Sequence, residues 1–206
     1  MNILCHRGFW VHESEQNTEK SFVDCVELGF GIELDIRVRS GHLVVAHDTD
    51  VHSAPFFEDV LSALKGFSSY IAVNIKEDGL CSQASRLCNK YGIRHYLFDM
   101  SVPETVICAR NSLPYFTRLS EYESATLLDN NAAGFWVDSF DDQWFDDVFL
   151  ERLLSSGKEV AVVSPELHGR RYDEVWSLLR DFNKNTNLSI CTDFPKHANE
   201  YFNDER

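Results

Sequence analysis

Glu33 and Asp35 stand one residue apart in the apolar run 32–36, so in a strand both carboxylates project from one face while Ile32, Leu34 and Ile36 occupy the other. Two carboxylates side by side repel one another unless a cation lies between them. An isolated Glu-x-Asp is more often a solvated pair, but the flanking isoleucines and leucine mark a strand buried on its far side. Oxygen-only ligands select a hard cation, so one divalent ion, Mg²⁺ or Ca²⁺, is expected in preference to zinc. Asn74 and Lys76 repeat the spacing on the next strand, placing a carbonyl oxygen that could join the metal beside an ammonium that could hold an anionic oxygen. His6 ends the first strand and runs into Arg7-Gly8, where glycine permits a tight turn and the arginine fork suits a phosphate. His47 also falls at a strand end and is followed by Asp48, a carboxylate able to orient its ring. Two imidazoles, two basic side chains and a carboxylate pair suit in-line displacement at phosphorus. One ring takes a proton and the other gives one; which does which stays open.

Such residues need a scaffold that brings strand ends together. Short β-branched, aromatic or apolar runs recur at 2–5, 31–36, 70–75, 94–98, 115–119, 134–137, 159–163 and 188–191, with helical periodicity between them, as at Phe22, Cys25 and Val26 or Phe149, Leu150, Leu153 and Leu154. Helix starts are signalled by Asn17-Thr18, by Ser101 with Pro103 and Glu104, and by Ser120 with Glu123 as a capping box. Eight strand–helix units within 206 residues predict an α/β fold, a single TIM (β/α)₈ barrel over 1–206, in preference to an open sheet. A turn at Ser40-Gly41-His42 predicts an added hairpin that returns His47 to the same end of the sheet. The chemistry of such barrels lies at the C-terminal strand ends. Here those ends carry His6 and Arg7, Glu33 and Asp35, Asn74 and Lys76, Asp99, Arg118, Asp138, Glu166 with His168, and Asp193.

A net charge of −14 repels phosphate backbones and anionic lipid, so neither nucleic acid nor stable membrane association is expected, and the partner is a small-molecule phosphodiester. The apolar run at 2–5 is too short for a signal-peptide core, which predicts a cytoplasmic protein. The six cysteines are scattered without a CxxC pair and read as buried free thiols. Oligomeric state is not legible.

These residues fall in an ordered set. His6-Arg7-Gly8, then Gln16-Asn17-Thr18 with Phe22, then Glu33-Leu34-Asp35, then His47-Asp48, and finally Thr192-Asp193-Phe194-Pro195, resemble the glycerophosphodiester phosphodiesterases. That family lies within the wider group of barrel phospholipases that includes the phosphatidylinositol-specific phospholipases C and the sphingomyelinases D. The resemblance implies a PLC-like phosphodiesterase barrel with His6 and His47 as the acid/base pair, Arg7 and Lys76 as phosphate ligands, and Glu33 and Asp35 as metal ligands. This chain departs from the family twice. Asn74 stands where a third acidic ligand is usual, and only 49–54 separate His47-Asp48 from the next helix, where the family inserts a long capping segment. A more open site follows. The segment 164–171 places Glu166, His168 and Arg170 after the seventh strand; with Arg118 they are candidate substrate ligands, although Pro165 also suits a simple helix-initiating turn. The expected activity is metal-dependent hydrolysis of a soluble glycerol-, sugar- or polyol-linked phosphodiester. The alternatives are phospholipase-like C or D activity on lipid headgroups, or a non-catalytic binding barrel.

Overall fold

The computed structural model describes residues 1–203. Strands β1 (Asn2–Cys5), β2 (Gly31–Arg39), β3 (His42–Val45), β4 (Tyr70–Ile75), β5 (Arg94–Phe98), β6 (Phe116–Leu119), β7 (Gly134–Val137), β8 (Glu159–Val163) and β9 (Leu188–Thr192) form at the apolar runs. Helices α1 (Glu19–Glu27), α2 (Phe57–Ala63), α3 (Cys81–Lys90), α4 (Val102–Arg110), α5 (Asp147–Ser155), α6 (Asp173–Arg180) and α7 (Pro195–Asn203) lie between and after them. The strand order β5-β4-β2-β1-β9-β8-β7-β6, with β3 antiparallel on β2, is the topology of a (β/α)₈ barrel carrying the expected hairpin. Among the described residues no helix is long and apolar enough to cross a membrane. All six cysteines are buried.

Two compact units divide the chain. In the unit Cys5–Tyr115, β2, β4 and β5 run parallel, with Asp35 opposite Asn74 and Asn74 opposite Phe98. Ile32, Leu34 and Ile36 are fully buried, each such side chain contributing roughly 1.5–3 kcal/mol. Glu33 and Asp35, alternating with them, are buried as well, so over 31–36 β2 has no face in water. Thr18 caps helix α1, its hydroxyl accepting from Ser21 N at 3.2 Å as the sequence predicts. Helix α3 buries Cys81, Ala84, Ser85 and Cys88, one stripe at helical spacing.

That stripe receives a histidine from β5. The ring of His95 donates from Nδ1 to the Ile93 carbonyl at 3.1 Å, and its Nε2 accepts from the Ser85 hydroxyl at 2.9 Å. Burial lowers its pKa from 6.5. Above that pH the ring is neutral whether the chain is folded or not; below it the unfolded chain takes up a proton that the folded ring resists. Stability is therefore lost as pH falls from 6.5 through the lowered folded pKa. Urea midpoints at pH 7.5 and 5.5 are expected to drop further for the wild type than for His95→Gln; parallel pH profiles would remove this role from His95.

In the second unit, formed by Met1–Leu4 with the chain from Phe116 onwards, β6 to β9 run parallel in sequence order. Its largest fully buried side chain is Trp176 of α6, which packs on Tyr172 and Phe202 and donates from Nε1 to Ser164 Oγ at 2.8 Å. One expected helix is absent here. Ser120 and Glu123 exchange backbone hydrogen bonds across a tight turn instead of capping a helix, and only a 3₁₀ turn, Leu127–Asn130, follows. The Glu123 carboxylate accepts from Ser120 Oγ at 3.1 Å and pairs with Arg118 at 2.8 Å, so it is engaged away from the helix-capping position. Residues 124–127 are all exposed, which leaves no apolar stripe to hold a helix on the sheet.

Candidate active site

Asp35 is the hub of a polar cluster within the Cys5–Tyr115 unit. Its side chain is 2% exposed, yet it meets two cations: Arg7 Nε at 3.2 Å from Oδ2 and Lys76 Nζ at 3.0 Å from Oδ1. Asn17 Nδ2 also donates to Oδ2 at 2.9 Å. The strands dictate this meeting. Lys76 lies just past the end of β4, two residues beyond the partner of Asp35, and its amide continues the ladder by donating to the Ile36 carbonyl at 3.2 Å.

Arg7 arrives by a strained turn. Arg7 has φ +56° and Gly8 φ +89°, and the turn is pinned to the start of α1 by hydrogen bonds from Asn17 N to the Arg7 carbonyl at 2.9 Å and from Phe9 N to the Ser21 carbonyl at 2.9 Å. A Cβ on Gly8 would meet Ser21 Oγ at 2.4 Å and Ser21 Cβ at 2.8 Å. Gly8→Ala combines that overlap with a left-handed backbone and is expected to cost about 2–4 kcal/mol by urea titration. Arg7 should be displaced with it. A loss below about 0.5 kcal/mol would show that the turn relaxes freely.

The two carboxylates respond oppositely to their surroundings. Burial and the neighbouring Asp35 charge push the Glu33 pKa up to about 7, although His6, Lys76 and Arg7 act in the other direction. For Asp35 burial also favours the protonated form, but Lys76, Arg7 and the Asn17 hydrogen bond outweigh it and hold the carboxyl below its ordinary range. Glu33 Oε2 accepts from Arg7 N at 3.1 Å. The cations thus serve Asp35 first, and Glu33 carries the residual repulsion.

His6 leaves β1 half-buried, its carbonyl accepting from Trp10 Nε1 at 2.9 Å. The hairpin delivers His47 as expected. Ala46 N donates to the Asp35 carbonyl at 3.0 Å, and Arg37 Nε donates to the His47 carbonyl at 2.9 Å. His47 Nδ1 lies 2.8 Å from Asp48 Oδ1, which fixes the proton on Nδ1 and leaves Nε2 as the nitrogen available for proton transfer; the ring is 42% exposed. Asn74 is buried beside Asp35, and its Nδ2 donates to Asp99 Oδ2 at 3.0 Å.

Seven of the predicted residues, His6, Arg7, Glu33, Asp35, His47, Asn74 and Lys76, therefore belong to this unit. Arg118, Glu166, His168 and Arg170 belong to the other, where among the described residues only Arg118 and His168 share a partner, Asp138. The buried Asp138 carboxylate holds His168 Nε2 at 2.7 Å and lies 3.8 Å from Arg118 NH1. Both rest against Phe140, Arg118 at 5.3 Å from the ring centroid and His168 at 5.0 Å between centroids. Arg170 donates to the Ser139 carbonyl. The carboxylate of Glu166 accepts from Ser164 Oγ, Thr192 Oγ1 and Asp193 N, which makes it a brace between the ends of β8 and β9. Pro165 does open a 3₁₀ turn, Pro165–His168, as the turn reading of this segment has it.

Arg37 escaped the sequence reading of this cluster, and Asn17 and Asp99, read as a motif residue and a strand-end carboxylate, were not assigned to it. Arg37 continues the face of Glu33 and Asp35 by the same two-residue period, a signal that was present. Asn17 and Asp99 have left-handed backbones, φ +56° and +64°, and no periodicity reveals where such side chains point.

No protein-family model matches the chain, and no curated protein matches its sequence. Solved structures do match. An Oleispira antarctica phosphodiesterase in complex with the product sn-glycerol-3-phosphate superposes with a TM-score of 0.74 at 14% identity, over 99% of this chain and 97% of that one. The fold is that of the glycerophosphodiester phosphodiesterase barrels. The enzymes of that name from Agrobacterium tumefaciens and Parabacteroides distasonis agree, with TM-scores of 0.70 and 0.68, each at 16% identity. They cover 98% of this chain, and it covers 98% and 96% of theirs. The (β/α)₈ barrel expected from periodicity and motif order is the architecture these neighbours share. At 14–16% identity the likeness is one of fold, and the chemistry has to be argued from the residues.

Proposed function

We propose that this protein is a metal-dependent phosphoric diester hydrolase acting on a soluble glycerol-, sugar- or polyol-linked phosphodiester. The observation that carries the proposal is the convergence of Arg7 and Lys76 on Asp35, beside Glu33, in the same unit as His6 and His47. A net charge of −14 makes a local pair of cations the natural landing point for an anionic substrate. The glycerol-linked class is supported by the Oleispira neighbour, whose bound product is sn-glycerol-3-phosphate.

The oxygens present fit a hard cation. Among the described residues no three His, Cys, Asp or Glu side chains are grouped so as to hold a metal ion. Glu33 and Asp35 would then be joined by a neutral donor, the Asn74 carbonyl oxygen, which is buried and has no hydrogen-bond partner among the described residues. A divalent ion held there would neutralise charge on the phosphate and relieve the repulsion that raises Glu33. The side chains do the rest. Arg7 and Lys76 hold phosphoryl oxygens. His47, with its proton fixed on Nδ1 by Asp48, offers Nε2 as one proton-transfer partner, and His6 is the other. Within the second unit Arg118 and His168, both held at Asp138 and both about one quarter exposed, are by themselves suited to hydroxyls or an anion.

The test is turnover by metal-stripped protein refilled separately with Mg²⁺, Ca²⁺ or Mn²⁺, over glycerophosphodiesters, nucleotide-sugars and lysophospholipids, with His6→Ala as the blank. Release that needs metal and vanishes in the blank supports the proposal. Turnover confined to lysophospholipids would favour the phospholipase reading, and silence on every substrate without cation binding the non-catalytic barrel.

A further inference from the structure

Asn74 poses a problem that its neighbour solves. A side-chain amide can present either its oxygen or its NH₂ group to a given point, and the two ends differ by a half-turn about the last bond. Asp35 is the cross-strand partner of Asn74, so whichever end faces inward faces a carboxylate-rich site. The side chain is 93% buried by residue exposure, and swapping its ends would exchange a donor for an acceptor. Asp99 removes the ambiguity. Its Oδ2 accepts from Asn74 Nδ2 at 3.0 Å, and an ionised carboxylate can only accept, so the NH₂ group is drawn to Asp99 and Oδ1 is turned away from it. That oxygen is buried without a hydrogen-bond partner among the described residues. An unsatisfied buried carbonyl costs about 1–3 kcal/mol, a cost that a ligand at Oδ1 would remove.

The backbone supports the same reading. Asn74 pairs in register with Phe98, the last residue of β5, and Asp99 follows with φ +64°. A non-glycine residue held in the left-handed region at a strand end is strained, and such strain is retained where the side chain's direction matters.

We propose that Asp99 is a positioning residue that fixes the Asn74 amide with Oδ1 as a donor oxygen for a hard divalent cation. The site thereby replaces a third acidic ligand with a neutral oxygen backed by a carboxylate one bond network further out. The inference rests on the cation reading given above. It accounts for a site with only two acidic oxygen donors in which a third carboxylate is nonetheless anchored, through Asn74, to the same strand register.

Mn²⁺ binding to the metal-free full-length protein, followed by calorimetry and by loss of the free-ion paramagnetic signal, tests this without reference to turnover. Asp99→Asn is nearly isosteric but can donate as well as accept, so it no longer selects the amide orientation; Mn²⁺ affinity is expected to fall about 10-fold or more. Asn74→Asp with Asp99 intact sets two carboxylates about 3 Å apart and should gain little affinity, because they must share a proton. The double variant Asn74→Asp/Asp99→Asn restores the donor–acceptor pair with its ends exchanged and is expected to bind Mn²⁺ more tightly than either single variant and than the wild type. Wild-type binding with unaltered affinity in Asp99→Asn, or equal affinities in Asn74→Asp and the double variant, would overturn the role of Asp99 while leaving the cation site standing. Absence of Mn²⁺ binding in the wild type would overturn both together.

Discussion

Alanine in place of His47, or of His6, is expected to lower phosphodiester turnover by about 10²–10⁴-fold, because each substitution removes one proton-transfer partner. Stability should hardly change in His47→Ala. His47 is 42% exposed, and what fastens it to the fold is its carbonyl, held by Arg37, which alanine keeps. The carbonyl of His6, which accepts from Trp10 Nε1, also survives its replacement by alanine. A loss of turnover with an unaltered urea midpoint is therefore the signature of chemistry. Asp48→Asn provides the graded control. It weakens the orientation of His47 without removing the ring, so its effect should be smaller than that of His47→Ala and should change the pH dependence of turnover. Unaltered turnover in either histidine variant would remove that residue from the mechanism.

The parts legible in the sequence are those that rest on periodicity. A two-residue period places Glu33 and Asp35 on one face of β2 and Asn74 and Lys76 together on the next strand, and the register Asp35 to Asn74 brings the two pairs side by side. The hairpin that returns His47 was readable because Ser40-Gly41 has the left-handed backbone its turn demands, φ +51° and +83°. What was not legible depends on competition among side chains. Glu123 has the spacing of a capping box, but Arg118 and the turn at Ser120 claim it, and a helix is lost. Glu166 stands at a strand end like a ligand, yet its oxygens are taken by Ser164, Thr192 and the Asp193 amide. Asn17 and Asp99 reach the site from left-handed backbones, a direction no pattern of residue types encodes.

The two carboxylates of β2 are expected to answer neutralisation with opposite signs. Asp35→Asn leaves Arg7 and Lys76 facing an amide, and breaking so buried a pair typically costs about 3–5 kcal/mol. The lower end is expected here, because Glu33, freed from the repulsion of Asp35, ionises more readily and takes over part of the compensation. Glu33→Gln should raise the stability of metal-free protein by roughly 1 kcal/mol at neutral pH, since it removes a carboxyl whose ionised form is opposed by burial and by Asp35. Glutamine still offers an oxygen to Arg7 N, so that hydrogen bond persists. Turnover should fall in both variants, and in Glu33→Gln the fall accompanies a gain in stability, the trade of stability against function that a repulsive site imposes. The double variant decides whether the account is right. With Glu33 already neutral nothing is left to compensate the loss of Asp35, so the combined cost must exceed the sum of the single effects, by about 0.5–3 kcal/mol for groups in one network. Additive urea titrations would show that the cations serve each carboxylate independently; excess loss would show that Arg7 and Lys76 are shared.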